Sequence, residues 1–290
     1  MFEEGFNWLK GVQQRLDPRV EGSLRGGQML SPEPIPPGRL RLTSFNMQAG
    51  MAMTHYSHYV TRSWRHVLPP QMATRSLGPM AALLRHSDLV AIQEVDAGSL
   101  RSGFINQLSH LAQEAGFSYA YQQVNRDLGH LGQFANGLLA RWQPAQVEEH
   151  QLPGLRGRGA ILARFRMAGQ DLVVVNMHLA LTGRGRWHQL AYMRSLLDET
   201  VPTVLMGDLN CSHAELLESP LGDMAWQWTY GHLNTYPSWR PVRRLDHILV
   251  SRHFRIERVE VPDLRLSDHR PVCMELEFMG TRPLNQDAGE

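Results

Sequence analysis

The sequence predicts an α/β fold, a layered sandwich in which two β-sheets pack face to face and helices cover their outer sides. Three observations point to it. Ten short runs of strand-forming residues recur between positions 39 and 278. Several of them, such as "DLVAIQEV" and "DLVVVNMHL", are apolar at consecutive positions, as strands are when both faces are covered. Three segments with helical spacing, near 75–86, 100–115 and 185–199, are interspersed among them.

Taken in order, residues 1–38 read as an extension. Phe2, Phe6, Leu9 and Val12 fall near helical spacing, so a short amphipathic helix is expected from Phe2 to Leu16. "SPEPIPPG" at 31–38 then interrupts regular structure and acts as a linker. The main domain spans 39–280. Its expected strands are "RLRLTSFN", "DLVAIQEV", "YAYQQV", "NGLLAR", "AILARF", "DLVVVNMHL", "TVLMGDLN", "LDHILVS", "RIERVEV" and "PVCMELEF". Residues 281–290 read as a flexible tail. No internal repeat or low-complexity segment interrupts the domain.

Composition narrows the classes. With 290 residues and 42% hydrophobic content, the chain can bury a large core. A formal net charge of +1 excludes a protein that coats nucleic acid by bulk charge. Lys10 is the only lysine; the arginine bias suits phosphate contacts but also arises from genome composition. Cys211 and Cys273 match no zinc spacing and form no disulfide framework. Both read as small buried thiols. The N-terminus is acidic at its start and too polar for a secretory signal, and no apolar run reaches the ~18 residues that span a bilayer. A cytoplasmic protein is expected, with no sign of an obligate protein partner.

The polar residues fall in a pattern. "LTSF" ends in Asn46, "LVAIQ" in Glu94, "LVVV" in Asn176 and His178, and "VLMG" in Asp208 and Asn210. "LDHILVS" opens with Asp246 and His247, and Ser267, Asp268 and His269 precede the last strand. Positions i and i+2 of a strand share a face, so Asn176 pairs with His178, and Asp208 with Asn210 if the strand continues that far. One such ending is ordinary turn chemistry. Six endings built only from Asn, Asp, Glu and His converge if the strand ends share one rim. Carboxylates and amides without a thiol or imidazole cage suit a hard cation, Mg²⁺ or Mn²⁺. Histidines beside carboxylates add a base or a stabilising donor. Together they describe hydrolysis of a phosphate ester.

The motifs "SFN", "IQE", "NMHL", "GDLN", "LDHILVS" and "SDHRPV", in this order, resemble the endonuclease/exonuclease/phosphatase superfamily over roughly residues 39–278. "GDLN" followed by "SDHRP" is the specific part; "SFN" alone is weak. The resemblance implies a four-layer α/β sandwich with two packed, mostly antiparallel sheets flanked by helices. It also implies a divalent-metal-dependent phosphodiesterase. Glu94 is implied as the principal metal ligand, with Asn46 beside it and Asp268 in the metal shell or just behind it. Asp208 and Asn210 are implied to orient the attacking water and the phosphate, and His178 to contact phosphate oxygens. His269, held by Asp246, is implied as general base or phosphate-stabilising imidazole, the choice between Asp208 and His269 as base staying open.

The middle motif departs from the AP-endonuclease branch and is closer to the sphingomyelinase, deadenylase and deoxyribonuclease-like branches. The expected substrate is therefore a nucleic acid strand, with a phospholipid or other small phosphoester as the alternative. Peripheral membrane contact follows in the lipid case. A binding module that has lost its site is a remote third reading, because every motif residue is present. Arg186 and Gln189, three apart at a helix start, either reach a phosphate or lie on a solvated face. Asn136 and Asn176 are further substrate-binding candidates. "MTHYSHYVTRSWRHVLPP" at 53–70, with Tyr59, Arg62 and Trp64, and "TYPSWRPVRR" at 235–244 offer aromatics beside arginine. They set specificity or simply pack a long loop.

Overall fold

A computed structural model of the protein describes residues 28–29, 31–48, 77–99, 102, 104–127, 133–154, 156–229, 231 and 233–280. The expected helix at 2–16, the 53–70 loop with Tyr59, Arg62 and Trp64, and the 281–290 tail lie outside the described residues.

The elements run β1 (Gln28–Met29), β2 (Arg39–Asn46), α1 (Leu77–Leu84), β3 (Leu89–Asp96), α2 (Gln107–Ala115), β4 (Tyr119–Asp127), β5 (Gln133–Ala140), β6 (Gln146–Gln151) and β7 (Gly159–Met167). They continue with β8 (Gln170–His178), α3 (Gly183–Arg194), β9 (Thr203–Asp208), α4 (His213–Leu217), β10 (Trp226–Gln227), β11 (Asp246–Ser251), β12 (Phe254–Glu260) and β13 (Val272–Phe278). All ten expected strands form. Seven strands make one sheet, in the order β1-β6-β7-β8-β9-β11-β10, and six make the other, in the order β12-β13-β2-β3-β5-β4. Pairing is antiparallel except for β2 with β3 and β8 with β9. The connections of those two parallel pairs each carry a helix, α1 and α3, as a crossover requires.

Three apolar clusters define four layers. Leu42, Leu89, Leu138, Ile161, Val174, Val204 and Ile248 fill the space between the sheets. Phe45, Val90, Ile92 and Leu139, on the other face of the six-stranded sheet, pack against Met80 and Leu84 of α1 and Leu108 and Leu111 of α2. Val173, Val175 and Leu205 cover the seven-stranded sheet on its outer side with Leu190 and Met193 of α3. Both faces of the central strands are thus buried, which explains their unbroken apolar runs.

Differences from expectation have local causes. Strand β6, "QVEEHQ", buries Val147 alone and is held by its ladder to β7, a non-local pairing that its polar sequence does not announce. Helix α4 is a five-residue turn of helix nucleated by a capping box between Ser212 and Glu215. The domain also begins earlier than Arg39. Ile35 is buried and bridges Met167, and β1 adds an edge strand on β6. The prolines of 31–38 therefore shape an ordered edge segment rather than a free linker.

Gly207 explains part of the "GDLN" motif. Its φ is +150°, and a Cβ there would sit 1.9 Å from the Met177 carbonyl oxygen. Only glycine lets β9 approach β8 closely enough to bring Asp208 opposite His178.

Candidate active site

The polar strand ends meet on one rim. Register places His178 beside Asp208 and Asp246 on the other side of Asp208, so three adjacent strands of the seven-stranded sheet each deliver a site residue. The facing sheet contributes Asn46 from the end of β2 and Glu94 from β3. Glu94 has φ +55°, and the β3–β5 ladder shifts register between Ile92 and Val95. This bulge turns the Glu94 carboxylate out of the strand alternation and toward the opposite sheet. A left-handed, non-glycine residue costs on the order of 1–3 kcal/mol, so the surrounding packing holds it in place.

Asp208 is the hub. Its Oδ2 accepts from Asn46 Nδ2 at 2.9 Å, and its Oδ1 accepts from the Asn210 backbone N–H at 3.0 Å. His178 Nε2 lies 3.5 Å from Asp208 Oδ2 and 3.9 Å from Glu94 Oε1. His269 Nε2 lies 3.8 Å from Asp208 Oδ2, while its Nδ1 bonds Asp246 Oδ2 at 2.8 Å. Ser267 fixes the loop that carries His269. Its hydroxyl donates to the Asn46 carbonyl at 2.7 Å and accepts from the His269 N–H at 3.1 Å. Segment 235–238 braces the same loop from outside. Ser238 donates its hydroxyl to the Ser267 carbonyl at 2.6 Å and its N–H to the Asp268 carbonyl at 2.7 Å. The Tyr236 ring sits 5.0 Å from the His269 ring.

The electrostatics follow from burial and crowding. Burial and the Asp208 charge raise the Glu94 carboxyl above its usual range. Burial, with the charges of Glu94 and Asp208, raises Asp268 to about 6. For His269 burial disfavours the charged form, but Asp246, Asp208 and Asp268 outweigh it and raise the imidazole to about 10. His178 goes the other way: burial and the Arg158 charge lower it to about 3, so its ring stays neutral.

The donor set fits a hard divalent cation. Glu94 and Asp268 each feel the Asp208 charge, Asn46 adds an amide, and the raised carboxyls mark a repulsion that a cation relieves. Among the described residues, one group of ligand atoms lies within 4.8 Å of one another, that of Asp208, Asp246 and His269. Within it Asp246 Oδ2 and His269 Nδ1 are already bonded to each other.

The expected residues do not all reach the rim in the expected way. Asn210 has φ +51°, so strand geometry ends at Asp208; the turn sends its Nδ2 to the Leu179 carbonyl at 3.0 Å. Asn176 shares the His178 face but lies two residues deeper, between the sheets. Its Nδ2 donates to the Ile92 and Gly137 carbonyls at 3.0 and 2.8 Å, and its Oδ1 accepts from Gln93 at 2.8 Å. It ties the sheets together and has nothing left for a substrate. Asn136 is similarly enclosed, donating to the Gly159 carbonyl at 2.9 Å and so bracing the residue next to Arg158. Arg186 is committed to Glu215 at 2.5 Å and to the Leu181 carbonyl at 2.7 Å, joining α3 to α4. Gln189 accepts from Ala180 N–H at 2.8 Å and steadies the segment after His178.

Arg158, immediately before β7, was not expected. Its Nη1 lies 2.9 Å from Nδ1 and 2.8 Å from Nε2 of His178, and it senses the charges of Glu94 and Asp208. Its signal in the sequence is the same as theirs, a charged side chain at the end of an apolar strand.

Known proteins share this frame. A UPF0294 protein of Vibrio cholerae serotype O1 is 29% identical over 214 residues, which cover 69% of this chain and 72% of that protein. An endonuclease/exonuclease/phosphatase from Beutenbergia cavernae superposes with a TM-score of 0.65 at 20% identity, over 84% of this chain and 72% of that one. A mannosyl-6-phosphatase from Bacteroides thetaiotaomicron gives 0.60 at 18% identity, over 82% and 100%. At such identities the solved structures establish the fold alone. The model of the Endonuclease/Exonuclease/phosphatase family matches residues 43–269, the whole span from Asn46 to His269. The chain therefore belongs to the endonuclease/exonuclease/phosphatase family, whose members are hydrolases of phosphoester bonds.

Proposed function

We propose that the protein is a divalent-metal-dependent phosphodiesterase. The convergence of Asn46, Glu94, His178 and His269 on Asp208 carries this reading. Glu94 and Asn46 would hold Mg²⁺ or Mn²⁺, with Asp268 in or just behind that shell. Such an ion supplies charge stabilisation at the phosphoryl oxygens and makes bound water more acidic. Asp208, held by Asn46 and the Asn210 N–H, accepts the proton of the attacking water. His269, kept charged by Asp246, donates to the phosphate. Neutral His178 and Arg158 bind the other phosphoryl oxygens.

Two substrate classes have support. Tyr59, Arg62 and Trp64 in the sequence favour a nucleic acid strand. The described rim, with exposed Leu181, Trp187 and Val242, favours a phospholipid headgroup. The mannosyl-6-phosphatase shows that phosphomonoester cleavage is a further chemistry on this fold.

The test is hydrolysis of DNA, RNA, phospholipid and a soluble bis-aryl phosphodiester with and without Mg²⁺ or Mn²⁺. Activity on at least one diester, lost with EDTA and restored by the metal, is expected. A panel that stays silent with both metals defeats the reading. The metal site has its own signature. Because Asp268 binds its proton with a pKa of about 6, Mg²⁺ is expected to raise Tm more above pH 7 than near pH 5. Equal shifts at both would remove these carboxyls from the metal. Arg158→Gln is expected to lower kcat/KM about ten- to a hundredfold, since a charged donor to the phosphate is lost. Wild-type kcat/KM would place Arg158 outside substrate contact.

A further inference from the structure

The rim around the site carries exposed apolar side chains. Six large apolar residues are exposed among the described residues, and three of them sit on the two segments that flank the site: Leu181 at 73%, Trp187 at 51% and Val242 at 63%. Leu181 and Trp187 lie on the run that leaves β8 three residues after His178 and opens α3. Val242 lies at the closing end of the turn between Tyr236 and Arg243, where the Val242 and Arg243 N–H groups both donate to the Tyr236 carbonyl at 2.9 Å. Tyr236 packs on His269, and the same segment runs on into Asp246.

The two segments emerge side by side. His178 is opposite Asp208 and Asp208 opposite Asp246, so they leave the same sheet edge two strands apart, roughly 10 Å. Arg186 holds the first of them in place through the Leu181 carbonyl. The apolar tips are interleaved with cations. Arg184, Arg240 and Arg243 are exposed, and none has a carboxylate partner among the described residues.

We propose that this rim docks on an anionic phospholipid bilayer, with Leu181, Trp187 and Val242 entering the headgroup region and Arg184, Arg240 and Arg243 meeting lipid phosphates. The inference deepens the phosphodiesterase reading and rests on it, because docking by the site mouth delivers a headgroup phosphodiester to Asp208 and His269. Charge complementarity selects the occupant: arginines with no carboxylate partner among the described residues face an anionic surface. The apolar chemistry selects a bilayer over a polynucleotide, because leucine and valine have no π-face on which a base can stack, whereas both are stabilised at the acyl boundary. Tryptophan prefers that same interface. The chain has a net charge of only +1, so no bulk field drives the attraction and it rests on local groups such as these arginines.

The test is co-sedimentation of the full chain with phosphatidylcholine vesicles and with vesicles that also contain phosphatidylglycerol. Binding to the anionic vesicles, little to the neutral ones, and weakening with salt are expected. The triple variant Leu181→Ser, Trp187→Ser, Val242→Ser is expected to bind about tenfold more weakly or worse. It should keep wild-type Tm and wild-type hydrolysis of the soluble bis-aryl phosphodiester. Absence of vesicle binding, or equal binding by the triple variant, overturns the proposal. So does a fluorescent single-stranded oligonucleotide that binds the wild type and is lost in the triple variant, which would make a polynucleotide the occupant. Failure of the soluble diester to react with wild-type protein counts against the catalytic reading instead, and leaves the sedimentation result standing.

Discussion

Asp246→Asn and His269→Ala are each expected to lower kcat by about 10²–10⁴-fold, and the double variant to be little worse than the worse single one. The two side chains meet at 2.8 Å, and both are almost completely buried. Asp246 thus fixes the ring so that Nδ1 carries a hydrogen and Nε2 faces Asp208. It also keeps the ring charged. Replacing the carboxylate by an amide leaves the shape and removes that charge, so the His269 pKa is expected to fall from about 10 toward or below its usual value. A ring titration by NMR in the metal-free protein reads this directly. The sign for stability follows. A histidine whose folded pKa is raised contributes stability that is complete below its unfolded pKa and is lost as pH rises through about 10. Asp246→Asn is therefore expected to lower Tm at neutral pH and to flatten its decline on the alkaline side. If the kinetic losses of the two single variants multiply in the double variant, the residues act independently and the pairing has no catalytic meaning.

Glu94→Gln is expected to abolish metal-dependent turnover, by about 10³-fold or more, with the fold intact. Gln keeps the size and the side-chain branching at a position whose φ of +55° is imposed by the β3 bulge. It removes one negative charge from a crowded cluster. Because burial and Asp208 raise the Glu94 pKa, the native state holds this proton more tightly than the unfolded chain does. Stability of the metal-free protein therefore falls as pH rises through the carboxylate range, and the Gln variant escapes that loss. Its metal-free Tm at neutral pH is expected to equal or exceed the wild type's, and its Tm shift with Mg²⁺ to vanish. Near-wild-type turnover at saturating Mg²⁺ would exclude Glu94 from the metal.

Much of this arrangement was legible in the residues. Strand runs and their apolar faces appear in the order of the sequence, and Asn46, Glu94, His178, Asp208, Asp246 and His269 come to one rim from the expected strand ends. The reason is that a strand's period of two, with its burial on both faces, is a local property. What escaped was non-local. β6 exists because β7 pairs with it, and Ile35 joins the core because Met167 lies beside it. Asn176 and Asn136 looked available because an amide in a strand gives no sign of how deep it lies. Only the facing sheet, with the Ile92, Gly137 and Gly159 carbonyls, takes up their hydrogen bonds. Arg186 looked free because Glu215 is distant in sequence and adjacent in space.

The residues alone thus determined the layered architecture, the hard-cation donor chemistry and the ends of the strands at which it sits, because residue type and periodicity act within a few positions. Tertiary structure decided which of those residues keep a free atom for chemistry. It turned Glu94 inward at a bulge, spent Asn176 and Arg186 on other partners, buried Asn136 against the Gly159 carbonyl, and brought Arg158 to His178. Hydrogen-bond capacity is finite, and its allocation among buried groups is settled by neighbours from the opposite sheet that no local pattern records.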